Sequence, residues 1–101
     1  MRKIMLVCSA GMSTSMLVTK MKQAAENRGI EAEIFAVAES EAKNHTDVEV
    51  ALLGPQVRFL KAKLEGLLKE HGTPVDIIDT IAYGTMNGDK VLDQALRLIE
   101  A

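Results

Sequence analysis

A chain of 101 residues with 48% apolar and 26% charged side chains fits one globular domain with a real core, and this balance excludes an intrinsically disordered segment. The formal charge of −2, without a basic block or interleaved basic and aromatic residues, excludes DNA and RNA as partners. The single cysteine and the two histidines, His45 and His71, share no ligand spacing, which excludes an internal disulfide and a thiol metal cluster and points to a reducing compartment.

The opening "MRKIMLVC" has the ingredients of a lipoprotein export signal. Its apolar stretch from Ile4 to Val7 is shorter than the ~7 residues such a signal needs, and Val7 is not small. The segment is read as a strand over 3–7, buried on both faces and bounded by Cys8-Ser9-Ala10-Gly11. No apolar run approaches the ~18 residues of a membrane span, so a soluble chain without membrane insertion is expected.

After the loop, Ser13, Thr14 or Ser15 caps a helix running to about Arg28, with Met16, Leu17, Met21 and Ala24 or Ala25 inward and Gly29 as its stop. "IEAEIFAV" at 30–37 reads as a second strand, Ser40 to Asn44 as a short helix behind a capping serine, and "VEVALLG" as a third strand. "PQVRFLKAKLEGLLKEHG" reads as one helix with Pro55 in its first turn and Val57, Leu60, Leu64, Leu67 and Leu68 facing the core. "PVDIIDTIAYG" supplies a fourth strand centred on Val75 to Ile78. "GDKVLDQALRLIE" closes the chain as a helix with Val91, Leu92, Ala95, Leu96 and Ile99 inward. Strands and helices alternate without a hairpin-length turn, so an α/β fold follows: a parallel sheet with helices on both faces.

Open sheets of this kind bind ligands beyond the carboxyl ends of their strands, where the strand order reverses. Cys8 stands at such an end. The small residues Ser9, Ala10, Gly11, Met12 and Ser13 let successive backbone N–H groups converge, while the helix behind them offers unpaired N–H groups and about half a positive charge. Thr14 and the serines add hydroxyl donors. The same field favours the thiolate of Cys8, so nucleophile and oxyanion cradle occupy one short stretch, as covalent phosphoryl transfer through sulfur requires. The competing reading is a buried cysteine that only fills space.

"VCSAGMSTSMLV" resembles the active-site loop of the lactose/cellobiose-type IIB components of the bacterial phosphoenolpyruvate-dependent sugar phosphotransferase system. "LLGPQV" at 52–57 and "IAYGTMNGDKVL" at 81–92 resemble that family's later segments. The resemblance implies a single IIB domain over 1–101, with a four-stranded parallel sheet of order 2-1-3-4. It implies a monomeric cytoplasmic phosphocarrier without a cofactor: Cys8 takes a phosphoryl group from a phosphohistidine of a IIA partner and passes it to a sugar of cellobiose, chitobiose or lactose type, held by a membrane IIC permease. Ser9 through Ser15 become the phosphate cradle. The loop also resembles that of low-molecular-weight tyrosine phosphatases, whose signature places an arginine where this chain has Thr14. Without that guanidinium fork two charge-assisted bonds are lost, a deficit that suits a carrier over a hydrolase. Arsenate reductases with such loops need further cysteines, which this chain lacks.

The alternatives are a cysteine-dependent phosphatase and a non-catalytic anion-binding module; a receiver-like version would need a carboxylate where Cys8 stands. Asp76, Asp79, Asp89 and Asp93 are read as strand-end, capping and surface carboxylates, not as general acids. Tyr83 follows the fourth strand and is placed near the loop as a hydroxyl or an aromatic wall, with Pro55 and Gln56 approaching from the third. Met12 suits docking of successive partners, Met16 and Leu17 the core, and both histidines solvent.

Overall fold

The first apolar run becomes the central part of the sheet. The structure, a computed structural model, describes residues 2–8 and 12–100. In strand β1 (Arg2–Cys8), Ile4 through Val7 are fully buried because alternate side chains serve different cores: Ile4 and Leu6 on one face, Met5 and Val7 on the other. β1 lies between β2 (Ala32–Ala38) and β3 (Val50–Leu53), with β4 (Val75–Ile77) beyond β3. All pairs are parallel and the order is 2-1-3-4, as expected. The register sets Cys8 opposite Ala38, Val7 opposite Leu53, and Leu53 opposite Ile77, so the carboxyl ends line up along one rim.

Helices cover both faces. Helix α1 (Met12–Asn27) packs Leu17, Val18, Met21, Ala24 and Ala25 on the Ile4/Leu6 face, joined by Val91, Leu92 and Ala95 of a later helix, Gly88–Glu100. The other face receives Ala42 from the 3₁₀ turn Glu39–Asn44, and Leu64 and Leu68 from helix α2 (Lys61–Leu68). The connection from β1 to β2 thus runs over one face and that from β2 to β3 over the other. β1 is where the order reverses, and Cys8 ends β1.

Local signals account for most boundaries. α1 stops through a left-handed Gly29 (φ 66°), with Gly29 N–H donating to Glu26 C=O (3.1 Å) and Ile30 N–H to Ala25 C=O (2.9 Å), a two-bond glycine cap sealed by Ile30 against the core. Val91, Leu92 and Ala95 are buried in the last helix as its period predicts, and Leu96 and Ile99 are half-buried.

Several expectations are corrected. α1 begins at Met12, so Ser13, Thr14 and Ser15 lie inside its first turn and do not precede it. That start also turns Met16 outward, 60% exposed, while Leu17 is buried. The turn at Glu39–Asn44 has no side-chain cap, so Ser40 does not open it. The helix expected over 55–72 is broken into a 3₁₀ turn (Pro55–Leu60), α2, and a second 3₁₀ turn (Lys69–His71); Val57 leaves helical geometry (φ −119°, ψ 25°) to fill the core. Leu67 then faces solvent, and Leu60 is half-buried. The fourth strand ends at Ile77, and the residues after it form helix α3 (Thr80–Gly84), so the closing helix Gly88–Glu100 is α4.

Candidate active site

Cys8 is the last residue of β1 and α1 starts at Met12, so the connection between thiol and helix is short. Of the expected cradle, Ser9, Ala10 and Gly11 lie outside the described residues, as do the side chains of Met12 and Ser13. Ser15 is exposed, and its carbonyl accepts a hydrogen bond from Thr19 Oγ1 at 3.2 Å. Thr14 is different. It is fully buried, and Thr14 Oγ1 has no hydrogen-bond partner among the described residues. Leaving a buried hydroxyl unsatisfied costs about 1–3 kcal/mol, so the position carries an unfilled donor in the first turn of a 16-residue helix. No acidic residue stands in that turn to neutralise the positive end of the helix dipole. Thr14 occupies the place in the loop where a phosphatase signature has its arginine.

Cys8 itself is 1% exposed. Burial of this kind is also what a space-filling cysteine shows, so the thiol alone does not separate the two readings. The Thr14 hydroxyl, buried without a partner among the described residues, is the feature that a space-filling reading leaves unexplained.

The neighbouring strand ends bring further groups to the rim. Gly54 N–H donates to Val7 C=O at 3.0 Å, which joins the start of the Pro55–Leu60 turn to the end of β1. Gln56 in that turn donates through Nε2 to Tyr83 Oη at 3.0 Å, linking the segment after β3 to α3, which follows β4. The sequence places both residues near the site without indicating that they bond to one another. Tyr83 is half-buried against the α1/α4 core. Exposed apolar side chains stand in the segments that follow three of the strands: Met16 after β1, Phe59 (77% exposed) after β3 and Ile81 (73%) after β4.

The carboxylates have structural work. Asp79 Oδ2 accepts from Ala82 N–H at 2.9 Å and caps α3; Asp76 Oδ1 accepts from Ile77 N–H at 2.8 Å. Asp89 and Asp93 take the guanidinium of Arg28 at 2.9 and 2.6 Å. None of the four is placed as a general acid. His45 is half-buried with its ring 5.0 Å from that of Phe35, which corrects the solvated reading, whereas His71 is exposed at the end of its 3₁₀ turn. A cavity of about 890 Å³ lies along β4 and α4, lined in part by Asp76, Asp79 and Arg97, and neither Cys8 nor Thr14 borders it. Its position is away from the chemistry. A residue of structural weight that the sequence does not reveal is Gln94, which binds the end of β4. Among the described residues no helix is long and apolar enough to cross a membrane.

Comparison with known proteins agrees with this geometry. Residues 3–94 match the family described as PTS system, Lactose/Cellobiose specific IIB subunit. The chain is 47% identical over 100 residues to the PTS system oligo-beta-mannoside-specific EIIB component of Bacillus subtilis (strain 168), covering 98% of this chain and 97% of that protein. It is 43% identical over 102 residues to the PTS system cellobiose-specific EIIB component of Lactococcus lactis subsp. lactis (strain IL1403), covering 95% and 94%. The solution structure of the cellobiose-specific phosphotransferase IIB component from Borrelia burgdorferi superposes with a TM-score of 0.80 at 48% identity, over 98% of this chain and 92% of that one. With sequence match and fold in agreement, the chain belongs to the lactose/cellobiose-specific IIB family of the sugar phosphotransferase system.

Proposed function

We propose that this chain, as one IIB domain in the cytoplasm, carries a phosphoryl group on Cys8 between a IIA protein and a sugar held by a membrane IIC permease. The thiolate of Cys8 attacks the phosphorus of a phosphohistidine on the IIA partner. The S–P bond forms, the N–P bond breaks, and its electron pair returns to the imidazole. A sugar hydroxyl then attacks the same phosphorus, the O–P bond forms, and sulfur leaves with the S–P electrons. The protein's part is electrostatic: the N-terminus of α1, with the backbone amides that the small residues after Cys8 are expected to supply, stabilises the charge that develops on the phosphoryl oxygens.

The observation that carries this reading is the buried Thr14 Oγ1 in the first turn of α1, without a hydrogen-bond partner among the described residues, a hydroxyl that a bound phosphoryl oxygen would satisfy. One neutral hydroxyl in place of a guanidinium fork holds a phosphoryl group without strongly activating it toward water. Met16, Phe59 and Ile81, exposed on the segments after β1, β3 and β4, support successive docking of two proteins at this rim. Transfer needs Cys8 Sγ to be uncovered, so docking and exposure of the sulfur act together. Relatives at similar identities are named for oligo-beta-mannosides, cellobiose and galactose, so the cargo is a sugar of cellobiose, chitobiose or lactose type chosen by the IIC permease and not by this chain.

Intact-mass measurement after incubation with the general phosphotransfer proteins and a phosphorylated IIA protein tests the reading. The expected result is a gain of one phosphoryl group localised to Cys8 and absent in Cys8→Ser, because an alkoxide is far harder to generate than a thiolate. Turnover of an aryl phosphate without any partner would instead make the chain a phosphatase. Phosphate binding without mass gain would make it an anion-binding module.

A further inference from the structure

β4 is the last strand of the sheet and only three residues long, and its outer side is closed by side chains in the pattern of a missing neighbour. Ala51 N–H bonds to Pro74 C=O and Ile78 N–H to Leu53 C=O, so the backbone of residues 74, 76 and 78 faces β3, while that of Ile77 and Asp79 faces outward. The outward C=O of Ile77 accepts from Gln94 Nε2 at 2.7 Å, and the outward N–H of Asp79 donates to Gln94 Oε1 at 3.1 Å. A residue of a parallel strand pairs with its neighbour in this way, taking one C=O and giving its own C=O to the N–H two residues on. The outward N–H of Ile77 is taken by Asp76 Oδ1, and Asp76 Oδ2 accepts the second amide proton of Gln94 at 3.2 Å. The amide of Gln94 has one workable orientation, since flipping it would set donor against donor at Asp79.

We propose that Gln94 and Asp76 act as a one-residue surrogate fifth strand that keeps the β4 edge from pairing with a second copy of this chain. An open strand edge templates strand addition. The surroundings favour a second copy as the incoming chain. The cleft of about 890 Å³ beside β4 is lined by Asp76, Asp79 and Asp93 together with Lys90 and Arg97. In a two-fold pairing of β4 with itself each patch meets the other, so opposite charges face one another. Ile77 and Leu98 in the same cleft supply apolar surface to bury.

Gln94→Leu keeps the volume and removes both edge bonds. Under reducing conditions, which keep Cys8 from cross-linking, sedimentation equilibrium is expected to show an apparent mass approaching twice that of the wild type at the same concentration. Asp76→Ala, which frees Ile77 N–H, one proton of the Gln94 amide and Lys61 but leaves both edge bonds of Gln94, is expected to give the same dimer more weakly. In the wild type, the Asp79 amide is expected to exchange with deuterium at least tenfold more slowly than an unprotected amide, despite lying on the outer edge. A folded Gln94→Leu protein that stays at wild-type mass overturns the proposal. So does an Asp79 amide in the wild type that exchanges like an open chain, a result that stands whether or not the variants fold. Neither measurement involves phosphoryl transfer.

Discussion

At Thr14 the requirements of stability and of function oppose each other. Its hydroxyl is buried and has no partner among the described residues, a desolvation cost that an anion bound there under the proposed function would relieve. Thr14→Val exchanges the hydroxyl for a methyl group of similar volume, and the two consequences have opposite signs. Chemical denaturation is expected to show the variant more stable than the wild type by about 1 kcal/mol, the smaller end of the cost of an orphaned donor. Phosphoryl transfer from a IIA partner is expected to slow roughly tenfold or more, because a hydrogen bond to a charged group contributes about 1.5–3 kcal/mol. A variant with unchanged transfer would make Thr14 a packing residue, and the loop amides alone would then account for the site.

At the scale of elements, the start of α4 is set against the middle of α1. Asn87 Oδ1 caps α4 through Lys90 N–H at 3.1 Å, and Gly88 is buried beneath Lys20. A Cβ at Gly88 would stand 2.5 Å from the Lys20 carbonyl carbon and 2.6 Å from its oxygen, backbone atoms with no room to yield. Gly88→Ala therefore has to push the helices apart and is expected to lower stability by about 1–3 kcal/mol or more, read as a drop in thermal midpoint. This contact also marks how far the sequence could be read. β1 and α4 are legible because a continuous apolar run and a long 3.6-residue period each permit one reading. α3 has five residues, too few to show a period, and its start signal, Asp79 before Thr80, looks like any strand-end carboxylate. The break at Val57 is invisible because its apolar side chain fits a helix pattern that its backbone does not follow. The places of Cys8 at the end of β1 and of Thr14 near the start of α1 are legible from the apolar run and the small residues that follow it. The Gln56–Tyr83 bond and the seal at Gln94 are not, because they join residues that only the sheet topology brings together.

Across the whole molecule, the α1/α4 layer is tied by Arg28 at the end of α1 away from Cys8. Arg28, just past the end of α1, reaches Asp93 through Nη1 and Asp89 through Nη2, and Nη2 also donates to the Asp89 carbonyl at 3.3 Å. Hydrogen bonding to Arg28 holds the Asp93 carboxyl below the ordinary Asp range, while Asp93 and Asp89 hold the guanidinium above its own. For Asp93 the folded value is depressed, so its contribution is complete above the unfolded value of about 3.9 and is lost as pH falls through the folded one. For Arg28 the folded value is raised, so its contribution is lost only in strong alkali. Asp93 is more than half exposed and solvent screens the pair, which places the effect at the small end of what an ion pair gives. Thermal unfolding of wild type and Arg28→Gln between pH 7 and pH 2 is then expected to give two curves, with the wild type higher above pH 4 and the gap closing as pH falls further and the carboxyl is protonated. Added salt should narrow the gap at neutral pH as well. Curves that remain parallel down to pH 2 would assign the role of Arg28 to the packing of its side-chain stem over the start of α4. The acid sensitivity of the molecule would then rest on other carboxylates, of which Asp47, outside this layer, bonded to Lys3 of β1 at 2.5 Å and likewise held below its ordinary range, is the next to test.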